Sequence, residues 1–258
     1  MFLQFYKYQG AGNDFIFIDN RDATFPVEKG ASISGWCDRH FGIGADGLIF
    51  IEEDEITDFR MVFFNPDGSQ TMCGNGARCA VAFAKKLGII EDEATFMACD
   101  GIHKARINED ATVALGMLDV EKIDVFENHV FVNTGTAHHV ELVKNLERYP
   151  VVSTGRKLRY ELYGEEGSNI NFVEQKDQHT FYIRTYEKGV EDETLACGTG
   201  ITAAAIAMHK TGKTNESVVN FLAKGGNLMV CFDVVEGVYQ HVVLTGPARF
   251  VYKGKKEI

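Results

Sequence analysis

One local device occurs twice in this chain. Met72-Cys73-Gly74-Asn75-Gly76 and Ala196-Cys197-Gly198-Thr199-Gly200 each place a cysteine before Gly-x-Gly, and each leads into small and apolar residues at helical spacing. Gly88 and Gly212 stand where those helices, predicted over 75–87 and 199–211, would stop. The correspondence reaches further upstream: Asn13, after a strand-like 2–8, precedes Cys73 by 60 positions, and Thr136, after a strand-like 129–132, precedes Cys197 by 61. A repeat of this length predicts one architectural unit used twice, with both thiols expected at a shared cleft.

Both predicted helices are apolar nearly all round, so each belongs at the buried centre of its own layer of strands. Strands are expected at 2–8, 14–19, 47–52 and 58–64, with a meander through 95–118, and at 129–134, 138–143, 169–175, 180–187, 218–222, 228–235 and 239–246. Two further helices are expected near 31–40 and at 153–160. Strands outnumber helices and most neighbours are joined by short turns. The expectation is therefore a mixed α/β (α+β) fold of two pseudo-symmetric domains, each a mixed, largely antiparallel sheet wrapped around a central helix. The polar run Asp119 to Asp124 reads as the hinge, giving a first domain over 1–119 and a second over 120–247, with 248–258 returning to the first after Gly246-Pro247. The chain has 258 residues, 45% of them hydrophobic, enough for two cores.

A net charge of −11 argues against nucleic-acid and anionic-membrane partners. The basic stretch Lys253 to Lys256 reads as a solvated tail. The first residues alternate like a strand rather than a leader, and no window approaches a membrane span, so a cytoplasmic location is expected. Six cysteines, at 37, 73, 79, 99, 197 and 231, include no C-x-x-C pair. Cys73 and Cys79 would lie about 240° apart on a helix of 3.6 residues per turn, so no metal is expected. Cys37, Cys79, Cys99 and Cys231 read as buried thiols. Gly42-Ile43-Gly44-Ala45-Asp46-Gly47 has the spacing of a dinucleotide fingerprint, but a helix-like segment precedes it and a strand-like one follows, the reverse of the order such a loop needs.

The first amide N–H groups of a helix lack internal partners and carry the positive end of its dipole. A thiol at that point is expected to titrate below its free value of roughly 8.5, and Gly-x-Gly leaves bare backbone for a substrate carboxylate. Two such thiols suit inversion of a carbon centre, which needs an acid on one face and a base on the other.

Five segments in order, Gly10-Ala11-Gly12-Asn13-Asp14-Phe15, Gly42 to Gly47, Phe64-Asn65-Pro66-Asp67-Gly68-Ser69, Met72 to Cys79 and Glu193 to Gly200, resemble diaminopimelate epimerases over essentially the whole chain. That family is similar in fold to proline racemase and the phenazine-pathway isomerases, and works with neither pyridoxal phosphate nor metal. The resemblance implies a homodimer that interconverts L,L- and meso-diaminopimelate in lysine and peptidoglycan synthesis. It implies Cys73 and Cys197 as the acid/base pair and His138 and Glu187 as groups tuning the thiols. Asn13, Asn65, Gly74, Asn75, Asn169, Glu187, Lys188, Gly198 and Thr199 fall at its substrate-binding positions, with Gly47 and Thr136 as further positions there. Three departures stand out: Lys188 replaces the usual Arg, Thr136 the usual Asn, and Gly47 the Gln of some members. Lys188 keeps the charge but loses the bidentate fork.

Taken on their own residues, Asn13 and Asn65 also suit ordinary turns, Glu187-Lys188-Gly189 a solvated hairpin, and His138 a satisfied strand histidine, with His139 on the other strand face. Two rival functions remain compatible: a racemase of proline, hydroxyproline or another amino acid, and an amino-acid-binding module in which the cysteines sense redox state.

Overall fold

The structure is a computed structural model describing residues 2–23, 25 and 33–257. Positions 31 and 32, where the expected helix near 31–40 begins, lie outside the described residues. The chain forms two compact units, Met1–Leu115 with Pro247–Ile258, and Gly116–Gly246.

In the first unit, β1 (Phe2–Gly10), β2 (Asn13–Asp19), β3 (Gly47–Glu52), β4 (Phe59–Phe64), β5 (Glu93–Ala98), β6 (Gly101–Ile107) and β7 (Val113–Gly116) follow in chain order, with α1 (Ile33–Cys37) before β3 and α2 (Gly74–Lys86) before β5. In the second, β8 (Ile123–Val125), β9 (Val130–Asn133), β10 (Ala137–Leu142), α3 (Val151–Tyr163), β11 (Asn169–Gln175), β12 (Thr180–Glu187), β13 (Asp192–Thr194), α4 (Gly198–Lys210), β14 (Val218–Ala223), β15 (Gly226–Val235) and β16 (Val238–Gly246) follow. A last strand, β17 (Arg249–Glu257), pairs antiparallel with β1.

The duplication is visible in the pairing pattern. From β1 to β7 successive partners run antiparallel, parallel, antiparallel, parallel, antiparallel, antiparallel. From β9 through β10, β11, β12, β14 and β15 to β16 the same series recurs. Each parallel step needs a crossover, and the helices supply it: α2 and α4 lie at the second step in their units. Even the outer strands correspond, since β17 flanks β1 as β8 flanks β9.

Helix α4 is buried because its sequence leaves no polar face, while α2 buries Asn75 and Arg78 among its small and apolar residues. In α4, Gly198 and the run from Gly200 to Met208 are buried, and the helix packs on β9, β10, β11, β15 and β16. Helix α2 packs on β1 to β4, β6 and β17, with Phe83 in an aromatic cluster, 4.8 Å from the Tyr6 ring and 5.3 Å from the Phe17 ring. Two short strands, β8 and β13, are not legible in the sequence, because three-residue strands carry too little alternation to register. Cys99 is exposed and Cys231 half-buried, so of the four thiols expected in cores only Cys37 and Cys79 are fully so.

Candidate active site

Cys73 and Cys197 are built alike. Each is the residue immediately before its helix, in extended conformation, at φ −128°, ψ 110° for Cys73 and φ −112°, ψ 112° for Cys197. Each carbonyl accepts the first intrahelical bond, from Ala77 N–H at 2.8 Å and from Ile201 N–H at 2.9 Å. The Cys73 side chain makes no cap hydrogen bond, while the Gly200 N–H of the first turn of α4 bears on the Cys197 sulfur.

Around Cys73 the sequence supplies a ring of amides. Ala11 and Gly12, both with positive φ (52° and 84°), make the two-residue turn between β1 and β2. That turn sets Asn13 at the head of β2, where its Oδ1 accepts from the Cys73 thiol at 3.6 Å and from Asn75 Nδ2 at 3.3 Å. The Asn13 amide is held from behind, since its Nδ2 donates to Asp46 Oδ2 at 2.6 Å. Asp46 is in turn bound by Arg39, which also grips Asp14 at 2.7 Å, and Lys7 pairs with Asp14 at 2.7 Å. Burial alone would raise the Asp14 carboxyl, but the bonds from Arg39 and Lys7 hold it down at about 2.

Asp46 had no role in the sequence reading, although it lies inside the rejected glycine motif. The glycines there serve packing: a Cβ on Gly42 would stand 2.1 Å from the Gly35 carbonyl oxygen, and Gly44 takes φ +81°. Gly47 has no room for a side chain, because Phe63 Cε2 lies 2.3 Å from where its Cβ would be. Residue 47 thus offers backbone only. Asn65 ties its own loop together, its Nδ2 donating to Ser69 Oγ at 3.0 Å and Thr71 Oγ1 at 3.1 Å.

Arg78 is the largest wholly buried side chain among the described residues. It donates to Asn75 Oδ1 at 2.8 Å, and its Nε has no acceptor among the described residues. Burial pushes the guanidinium below its ordinary value, while the neighbouring Cys79 and Cys73 favour its charge. The bond to Asn75 orients that amide so that its nitrogen faces Asn13.

Cys197 lies deeper, 8% exposed where Cys73 is half-buried. The thiol is pushed well above its ordinary value, first by burial and then by the Glu187 carboxylate, against bonds from Thr199 and the Gly200 N–H. The expectation of a depressed thiol is overturned at this position: loss of hydration outweighs the helix end. Glu187 also accepts from Thr194 Oγ1 at 2.5 Å. Thr199 Oγ1 lies 3.5 Å from the sulfur and 3.2 Å from Thr136 Oγ1, and Thr136 Oγ1 lies 2.9 Å from His138 Nε2. His138 therefore reaches the thiol through two hydroxyls. Burial pushes His138 down to about 3, so its ring is neutral.

Thr136 closes a three-residue turn whose Gly135 has φ +99°. Ala137, the first residue of β10, precedes Cys197 by the same 60 positions that separate Asn13 from Cys73, so the offset of one seen in the sequence comes from this longer turn. His139 is buried as well as His138, its ring 4.2 Å from that of His129 and its Nδ1 2.8 Å from Tyr163 Oη. Asn169 Oδ1 accepts from the Lys188 N–H at 2.8 Å, and the exposed Lys188 ammonium donates to the Glu166 carbonyl.

The Gly-x-Gly glycines are explained partly by packing rather than by ligand access. A Cβ on Gly200 would stand 2.3 Å from Asn171 Oδ1, and one on Gly76 3.0 Å from Ile49 Cδ1. Asn171 and Thr185, which bonds to it at 3.0 Å, were invisible in the sequence as site residues because they face inward from ordinary strands. No group of three or more metal-ligating side chains occurs among the described residues, and no helix there is long and apolar enough to cross a membrane.

The family profile described as diaminopimelate epimerase matches residues 5–123 and 130–251. A diaminopimelate epimerase of Flavobacterium psychrophilum is 54% identical over 253 residues, covering 97% of this chain and 99% of that one. One of Aquifex aeolicus is 39% identical, covering 98% of this chain and 97% of its own length. Among solved structures, a phenazine biosynthesis protein of the PhzF family from Bacillus anthracis superposes with a TM-score of 0.77 at 16% identity, covering all of both chains. A hydroxyproline epimerase from Agrobacterium vitis gives 0.67 at 16% identity, covering 98% and 92%. At such identities the two structures speak to the fold alone, which is the two-unit, mixed-sheet fold expected from the sequence.

Proposed function

The chain belongs to the diaminopimelate epimerase family and is an isomerase, and from that premise we propose that Cys73 and Cys197 are the acid/base pair that inverts one α-carbon of diaminopimelate. One observation carries the reading: both thiols immediately precede a buried helix in the same extended geometry.

In each direction one cysteine, as thiolate, takes the α-proton from one face. The other, as thiol, gives its proton to the opposite face, so the two leave the cycle with their protonation states exchanged. Negative charge develops on the α-carboxylate oxygens as the proton leaves. The N–H groups at the starts of α2 and α4, around Gly74, Asn75, Gly198 and Thr199, are the donors offered to that charge. Positioned donors of this kind contribute roughly 2.7–4 kcal/mol each, more than the 2 kcal/mol or so of a helix end by itself. Asn13, Asn65, Asn169, Glu187 and Lys188 are proposed to hold the two amino-acid heads, with Gly47 and Thr136 lending backbone and hydroxyl. His138 and Glu187 tune the thiols. The chemistry asks for no cofactor, and we place the enzyme in the cytoplasm as a homodimer.

The test is exchange in D2O with purified L,L- and meso-diaminopimelate under reducing conditions. Deuterium should enter the inverted centre as each isomer converts. Inversion without solvent deuterium, or faster racemisation of proline or hydroxyproline than of diaminopimelate, would overturn the assignment.

A further inference from the structure

Behind Cys197 lies a run of hydrogen bonds whose direction is fixed by a residue with no assigned role. We propose that Asn171, locked by Thr185 and the His139 carbonyl, sets the tautomer of His138 and thereby makes Thr136 and Thr199 a one-way relay that donates to the Cys197 sulfur. The inference rests on Cys197 being an acid/base group, and concerns which protonation state of it the protein favours.

The direction follows from groups that can play only one part. The His139 carbonyl can only accept, and it lies 2.9 Å from the Asn171 side-chain nitrogen, so the NH2 group of Asn171 must face it. Thr185 Oγ1 donates to Asn171 Oδ1 at 3.0 Å, which agrees with that orientation. The second N–H of the same NH2 group points to His138 Nδ1 at 3.2 Å, so Nδ1 accepts. His138 is fully buried and neutral, which leaves its one proton on Nε2. Nε2–H then donates to Thr136 Oγ1 at 2.9 Å, Thr136 to Thr199 Oγ1 at 3.2 Å, and the Thr199 hydroxyl is left to donate to Cys197 Sγ at 3.5 Å.

A donor aimed at sulfur favours the thiolate. Burial and Glu187 act the other way on the same thiol. The relay and the Gly200 N–H are thus the counterweight that keeps a thiolate within reach in a site hostile to charge, and successive hydroxyls strengthen one another along such a chain. The same geometry accounts for Gly200, whose missing side chain leaves the space that Asn171 Oδ1 fills. It also gives Thr136 a purpose beyond substrate contact: a hydroxyl can accept and donate along one line.

Two measurements without substrate test this, so their failure is distinct from failure of the D2O exchange. Nitrogen-15 NMR of the histidines in the whole protein should show His138 as the Nε2–H tautomer at neutral pH, and Asn171→Leu should release it to a mixture. An Nδ1–H tautomer or an imidazolium in the unaltered protein would overturn the proposal. The alkaline midpoint of ultraviolet thiolate absorbance, taken as the difference from the matching Cys197→Ser protein, should rise by at least about half a pH unit in Thr136→Val and recover in Thr136→Ser. An equal midpoint in Thr136→Val and the unaltered protein would equally refute it.

Discussion

Asn171 Oδ1 occupies the place of a side chain at Gly200, 2.3 Å from where a Cβ would stand. The second glycine of the Cys197 turn is therefore a packing requirement imposed by a buried amide on β11. Its counterpart, Gly76, meets the methyl end of Ile49 at 3.0 Å and the Phe15 ring at an ordinary 3.5 Å.

The two glycines should accordingly respond differently to one methyl group. Gly200→Ala forces apart a hydrogen-bonded amide and is expected to cost about 1–3 kcal/mol. In Gly76→Ala the Ile49 methyl yields, and the roughly 1 kcal/mol gained in helix propensity offsets the crowding. Denaturant midpoints of the two variants compare them, and equal losses would contradict the packing argument.

On the proposed two-base scheme, in which each thiol serves one face, Cys73→Ala and Cys197→Ala should each lose inversion by at least roughly 10²-fold while remaining folded. Isomer interconversion followed by chiral chromatography, beside circular dichroism, checks both. Full activity in either variant would end the two-base scheme.

Asp46 positions Asn13 without touching the thiol, through the 2.6 Å bond to its Nδ2. Asp46→Ala frees that amide to rotate and removes a charged acceptor, worth about 1.5–3 kcal/mol. We expect kcat/KM to fall by roughly tenfold or more, with Cys73 itself intact to mass analysis. An unchanged kcat/KM would show that Asn13 needs no such support.

Lys188 is tied to Glu166 by its ammonium and to Asn169 by its N–H. If it binds a distal carboxylate of diaminopimelate, Lys188→Ala raises KM strongly with little change in kcat. A KM equal to that of the unaltered enzyme would mean that the ammonium belongs only to its loop.

His138 imposes an acid limit on stability. Its ordinary value of 6.5 falls to about 3 on burial, so between those values the unfolded chain binds a proton that the folded chain refuses. Stability therefore falls as pH drops from about 6.5 toward 3. His129 and His209 are also lowered by burial and act in the same direction. The readout is thus a difference: His138→Gln should flatten the slope of unfolding free energy against pH by one proton in this window. An unaltered slope would contradict the neutral, buried ring.

Much was legible in the linear chain. Repetition, helical spacing and the small and apolar residues of two segments are properties of local sequence, so the two central helices, the two-unit plan and the largely antiparallel sheets could be read before any coordinates. The cysteines stood out for the same reason, since Gly-x-Gly before a helix is a local signal. What lies between distant strands was not legible. Asp46 reaches Asn13 across 33 positions and Asn171 reaches His138 across 33, and nothing in either residue's neighbours announces the partner. The titration of Cys197 was misjudged for a related reason, because the helix end is written in sequence while the loss of water around the sulfur is not. Sequence determined which groups could take part; only the packed structure decided how far each is desolvated and which way each amide and hydroxyl must point, because burial and hydrogen-bond direction depend on atoms brought together from across the chain.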